Sequence, residues 1–474
     1  DGELFRRKGR HDSFLKRISE YFGYLSDLFF YTAASLLAVL FTGRGLFPLA
    51  SLSLTGAALF LFQRNRRRDG SFSPAALFAL GLIGGEGIAC LKLSRLSTAW
   101  TKETWLSFYL AYLLFYLCYY AVRRIREGEK EGEGREKGEK PSLYSDGEER
   151  ERRLSFYRIS ILSLLALSLS CFLFEAWRLH FIPLFTVNTP HAYSYFHLPA
   201  IHYFTTLYVL LPSVGTLYRR ELGRKSLLAL FGALCPLFLS ILLVSRFQFL
   251  FSLFLLLFSL LLLGERLSRG RLLLLFFGAL SVYVLITIER AHSIRYLNGI
   301  FEMKCHLPIF LSQPYIYIAN NYDNFNEMTL HLREHSHGMK LLYPFLTLSG
   351  IKYFFTFPLA WPDFVTKKEL TTLSILYDSW YDFGLFGVAL FSCLLASVSA
   401  LLHSLSGRNP FGLLFRAQLS FYLLFSFFTT WFSNPAVWFY LFATALLYFA
   451  FQRFCLSRGE RGEGEAQLGE GRKS

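Results

Sequence analysis

Long apolar runs alternate with polar connections from residue 25 to residue 454. The runs fall at 25–42, 46–63, 74–91, 103–122, 154–175, 199–217, 226–245, 247–263, 272–288, 382–402, 411–431 and 436–454. A helix needs about 20 such residues to cross the hydrocarbon core. In lipid only helices or closed barrels can satisfy their own backbone. The pattern therefore predicts an all-α integral membrane protein, a polytopic bundle of about 12 transmembrane helices.

Charge sits between the runs and sets an orientation. Arg6, Arg7, Lys8, Arg10, Lys16 and Arg17 precede the first run, and Arg64, Arg66, Arg67 and Arg68 follow the second. Arg219, Arg220, Arg224 and Lys225 form a third basic connection, and Arg266, Arg269 and Arg271 a fourth. Basic connections stay in the cytoplasm, so an even number of spans puts both termini there.

The stretch "SILLVSRFQFLFSLF" (240–254) carries a single charge, Arg246, inside the apolar segment 226–263. At about 1.5 Å per residue this segment is too long for one crossing, and both its flanks are basic. It predicts a hairpin with Arg246 at its outer tip, away from lipid that would penalise the charge.

The divisions follow. Residues 1–24 form a basic cytoplasmic N-terminal segment without a cleavable signal, and 25–122 hold helices one to four. Residues 123–153 are a charged cytoplasmic linker whose acidic and basic side chains balance, expected to be disordered. Helices five to nine occupy 154–288, a large outer loop 289–381, helices ten to twelve 382–454, and a cytoplasmic tail 455–474. No internal repeat supports an inverted-repeat transporter.

Composition agrees. The 474 residues are 53% hydrophobic, with 52 Phe. A net charge of +15 would suggest nucleic acid in a soluble chain, but its clustering between apolar runs fits topology instead. No nucleic-acid partner is expected. The seven cysteines lie mostly in apolar runs, which gives no disulfide framework.

Candidate chemistry gathers in two outer connections, 176–198 and 289–381. Nine of the 11 histidines lie in or beside them: His180, His191, His197, His202, His292, His306, His331, His335 and His337. Interfacial loops and aromatic belts have a similar composition without any activity. Arg178, Arg246, Arg290 and Arg295 also point outward, against the topological bias. Arginine grips phosphate through a planar fork, and a lipid pyrophosphate is the natural partner there; snorkelling to headgroups is the plainer use of each one alone. His331 and His335 share a helical spacing but lack an HExxH order, so no metal site is expected. Neither GxxxxGK[ST] nor GxSxG occurs, which leaves an ATPase or serine hydrolase without support. The semi-apolar stretch 342–361 predicts an interfacial or re-entrant helix over the site.

Two stretches carry a resemblance: "PYIYIANNYDNFNE" (314–327) and "TTLSILYDSWYDFGLFGVALFSCLLAS" (371–397). With Tyr381, Asp382, Phe383, Gly384 and Gly387, with Ser245–Arg246 at a hairpin tip and with Arg290 and Arg295 opening the large loop, the chain resembles bacterial oligosaccharide repeat unit polymerases, the O-antigen polymerase or Wzy family. The match spans roughly 154–454, mostly as architecture. Paired Arg-x10-Gly motifs found in one branch of the family are not present.

The resemblance implies a metal-independent, GT-C-like glycosyltransferase in the bacterial inner membrane, with one large exoplasmic loop and no cofactor. It would move a growing glycan from undecaprenyl pyrophosphate onto a new lipid-linked repeat unit at the periplasmic face. Its partners would be that lipid-linked oligosaccharide, membrane lipids, and the pathway's chain-length regulator and flippase. Arg246 and Arg290, then Arg295 and Arg178, would stabilise the departing pyrophosphate. Asp323, His292, Glu289 and His197 are the candidates for general base. Tyr315, Tyr317, Tyr322, Trp380 and Tyr381 could stack on sugars, although such rings more often serve as core or belt. Asp382 and Gly384 would shape the start of the tenth span. An O-antigen ligase or other GT-C-like transferase is the nearest alternative, and a flippase or transporter of lipid-linked oligosaccharide the alternative from another class.

Overall fold

The computed structural model describes residues 2–70, 72–133, 147–186, 192–265, 267–268, 270, 273, 278, 294–359, 361–405 and 409–456, with side chains from residue 21 onward except 129–133, 148 and 192. The helices are α1 (Gly2–Gly43), α2 (Phe47–Asp69), α3 (Pro74–Ala89), α4 (Lys102–Glu133), α5 (Gly147–Leu179) and α6 (201–222). They continue with α7 (Leu227–Leu242), α8 (Arg246–Leu262), α9 (Ile294–Phe301), α10 (Ile309–His331), α11 (Met339–Leu348), α12 (Tyr377–Ser404), α13 (Gly412–Leu424) and α14 (Pro435–Phe451). Among the described residues the only β-type pairing is one isolated bridge, Ser94 with Met303.

Five helical stretches are long and apolar enough to cross a membrane: Tyr21–Gly43, Lys102–Gly128, Glu149–Leu179, Tyr377–Ser404 and Pro435–Cys455. Pro74–Ala89, Leu227–Leu242, Arg246–Leu262, Met339–Leu348 and Gly412–Leu424 are apolar but shorter. The run at 272–288 lies almost entirely outside the described residues.

The hairpin expectation is met. α7 and α8 meet at a tight turn with Val244 at φ 53°, and Arg246 begins α8. Ser245 caps α8, its hydroxyl accepting from the Gln248 amide at 3.4 Å.

Helical structure enters the stretch read as a charged linker from both sides. Helix α4 runs on to Glu133 and α5 starts at Gly147. Opposite charges one turn apart support these extensions. Arg123 pairs with Glu127 at 2.7 Å, Arg153 with Glu149 at 3.3 Å, and Arg123 also grips Asp69 of α2. At the same end, the fully buried Asp27 of α1 receives Arg64 at 2.9 Å, Arg68 at 3.0 Å and the Tyr116 hydroxyl at 2.8 Å.

Aromatic rings fill the core. Phe251 on α8 meets Phe421 of α13 at 4.8 Å and Tyr440 of α14 at 5.7 Å between centroids. Lipid tails are as apolar as Leu, so packing geometry rather than burial from water holds such contacts together.

The expected large loop is a folded layer. Helix α10 lies against α3 and α4 with Asn320, Asn321, Asp323, Asn324 and Asn326 all buried. Helix α3 contains a π turn at Ala79–Ile83, which displaces carbonyls from the regular ladder. The Tyr322 hydroxyl donates to one of them, Leu82, at 2.6 Å. Helix α11 coincides with the start of the semi-apolar stretch, followed by a 3₁₀ turn at Ile351–Tyr353.

Helix α12 breaks at Phe383–Gly384, where Gly384 has φ 59° and ψ −143°. Few residues other than glycine adopt that conformation. A Gly384→Ala protein should lose about 1–3 kcal/mol of stability. A melting curve in detergent indistinguishable from the parent's would show that the kink tolerates a side chain.

Candidate functional site

Several connections converge at one end of the bundle, the loop face. Residues 91–101 meet α10, the 180–200 connection meets the α7–α8 turn, and residues 426–434 meet both α10 and residue 375.

Asp323 is 1% exposed and closed off. Its carboxylate accepts from Lys92 Nζ at 2.6 Å and from Trp100 Nε1 at 2.8 Å, while the lysine sits 4.1 Å from the Trp100 ring. This ion pair ties the 91–101 connection to α10, and it leaves Asp323, expected as a general base, buried and paired. The neighbouring amides act alike. Asn324 donates to the Leu370 and Thr372 carbonyls at 2.8 and 2.9 Å. Asn326 donates to Ala99 at 3.1 Å and accepts from the Thr101 amide at 2.8 Å.

Four of the five proposed sugar platforms are packed away. Tyr322 is wholly buried against α3, and the Tyr315 hydroxyl accepts from the Leu93 amide at 2.8 Å. Tyr381 is 1% exposed and donates to the Pro362 carbonyl at 3.1 Å; Trp380 is buried beside His335. Tyr317 is half-buried near Phe428.

The residues around the α12 kink organise a second cluster. The Asp382 carboxylate accepts from the Lys340 and Leu341 amides at 3.1 and 3.0 Å and from the Ser336 hydroxyl. It thereby satisfies the otherwise unpaired amides that open α11. His335 Nδ1 stands 3.1 Å from the Tyr381 carbonyl. Lys340 Nζ lies 2.7 Å from Asp363 and 3.6 Å from Asp378. Burial works against the Lys340 charge, yet the two carboxylates outweigh it and raise its pKa.

The arginines occupy separate elements. Arg178 is exposed at the end of α5, Arg295 is exposed on α9, and Arg246 is half-buried at the α7–α8 turn. Beside Arg246, Val244 and Phe249 pack with Leu184 and Tyr193 of the 180–200 connection. Arg290, Glu289 and His292 lie outside the described residues.

His197 is exposed in the 180–200 connection, its ring 6.5 Å from that of His202. His202 faces a buried acid. Glu175, near the end of α5, is 0% exposed and lies 3.2 Å from His202 Nδ1. Sequence reading placed His202 among the outer histidines; its pairing with Glu175 depends on a turn at Ala200, with φ 67°. Lys92, Trp100 and Lys340 were missed. Lys92 offered one signal, as a cation just past an apolar run.

Among the described residues no group of three or more His, Cys, Asp or Glu side chains could hold a metal ion. No family model matches the chain, and no curated protein or solved structure matches it.

Proposed function

We propose that the chain is a polymerase of lipid-linked oligosaccharide repeat units, a metal-independent glycosyltransferase of the bacterial inner membrane. About twelve spans would place both termini in the cytoplasm and the loop face in the periplasm. The growing glycan would pass from undecaprenyl pyrophosphate to the terminal sugar of a new lipid-linked unit. The observation that carries this reading is the position of Arg246. An apolar helical hairpin carries Arg246 at its turn, and the residues beside it pack on the 180–200 connection. A cation there can meet a pyrophosphate whose lipid remains in the membrane, and can stabilise the charge that develops as it leaves. Arg178, Arg295 and Arg290 are the further candidates for that anion.

The test is a gel profile of surface polysaccharide from the source bacterium with and without this gene. Loss of the ladder, leaving lipid A core with one repeat unit, is the expected result. Loss of every attached repeat, with long glycan stranded on its carrier lipid, would make the chain a ligase. An unchanged ladder would eliminate both and favour transport.

A further inference from the structure

Glu175 is a buried acid near the end of α5 with three hydrogen-bonding partners. One carboxylate oxygen accepts from the Leu198 amide at 2.8 Å, the other from the Thr205 hydroxyl at 2.7 Å. His202 Nδ1 lies 3.2 Å from both oxygens. All three partners come from the short segment 198–205, which folds back onto the end of α5 after the 180–200 connection. Ala200 makes this possible by adopting φ 67°, a conformation unfavourable for a residue with a Cβ. Strain of this sort persists where surrounding structure enforces it, and it gathers at functional sites.

The geometry fixes the imidazole. A carboxylate can only accept, so Nδ1 carries the proton, and in the neutral ring Nε2 is then the basic nitrogen. Nε2 lies across the ring from Glu175. The carboxylate is wholly buried, whereas the His202 side chain is 30% exposed. One side of the pair is anchored and the other is accessible. The remaining described loop-face histidines lack this arrangement. His335 faces a backbone carbonyl, and His331 meets Glu327 at 3.8 Å on an exposed helix surface. Arg178 lies three residues beyond Glu175 on α5, hence on the same side of the helix, one turn nearer its end. The connection that delivers His202 also packs through Leu184 and Tyr193 on the Arg246 turn.

We propose that His202 is the general base of the transfer, with Glu175 as its positioning residue. This inference rests on the polymerase reading. His202 Nε2 removes the proton from the acceptor hydroxyl as that oxygen bonds to the anomeric carbon of the donor glycan. The bond between this carbon and the pyrophosphate oxygen breaks, and the polyprenyl pyrophosphate leaves as an anion beside the arginines. Glu175 steadies the imidazolium that forms, and the proton then passes to water. A buried carboxylate that orients a histidine and stabilises its cation is an established way to build a base.

The test uses the full-length chain in lipid nanodiscs supplied with lipid-linked repeat units, with product length read on gels. The wild type should elongate glycan. His202→Asn should lower kcat by about 10²–10⁴-fold while leaving KM for the lipid-linked substrate within about twofold. His202→Ala should recover part of its rate with added imidazole. Glu175→Gln should lower kcat less than His202→Asn does, with KM again unchanged. Wild-type kcat in His202→Asn would overturn the inference and leave the polymerase reading intact. A loss accompanied by raised KM or a lowered melting temperature, without imidazole rescue, would make the pair structural and also overturn it. A wild type that elongates nothing would remove the polymerase reading, and this inference with it.

Discussion

Lys92→Met should melt far below the parent in detergent, with a loss of about 3–5 kcal/mol. The lysine and Asp323 are 4% and 2% exposed as side chains, so removing one leaves the other as an uncompensated buried charge. The attraction between the partners matters less than the desolvation each suffers alone. A double replacement, Lys92→Met with Asp323→Asn, should therefore recover much of the loss. The amide still offers Trp100 Nε1 an acceptor, and no charge is stranded. A Lys92→Met protein that melts with the parent would show that the pair does not hold α10 to the 91–101 connection.

Arg246→Ala should abolish chain elongation while the protein still inserts and purifies normally. Removing a single group that stabilises developing negative charge costs about 10²–10³-fold in rate. Arg246→Lys should also be severely impaired, because lysine keeps the charge but loses the planar fork. The two variants separate charge from geometry. Full activity in the alanine variant, measured as ladder length in cells lacking the native gene, would refute pyrophosphate binding at this turn.

The helical framework was legible because lipid leaves few choices. Runs such as 103–122 and 382–402 have no alternative to helix, and the basic flanks of 226–263 forced the hairpin that places Arg246 at a turn. Helix α10 was not legible. "YIANNYDNFNE" reads as a wet loop, because nothing local shows that its amides will find carbonyls at Leu370, Ala99 and Phe427. The same blindness affects the site. Asp323 looked like a free acid because Lys92 is remote in sequence, and the tyrosines looked like platforms because their hydroxyl partners are backbone atoms of other segments. His202 was visible as one of the outer histidines; its union with Glu175 depends on a turn that composition does not encode.

Helix α10 also constrains how the chain is made. Its row of asparagines and an aspartate is too polar to enter the bilayer unaided, so it cannot partition from the translocon as a transmembrane segment does. It docks instead onto α3, α4 and the 91–101 connection, where the Leu82 carbonyl and Lys92 receive it. Biogenesis then has two phases: insertion of apolar helices, followed by soluble-protein-like folding of a polar segment back into the bundle. A chain stopped before residue 309 would insert its early helices yet leave the Leu82 carbonyl and Lys92 without their partners, a species suited to recognition by membrane quality-control proteases.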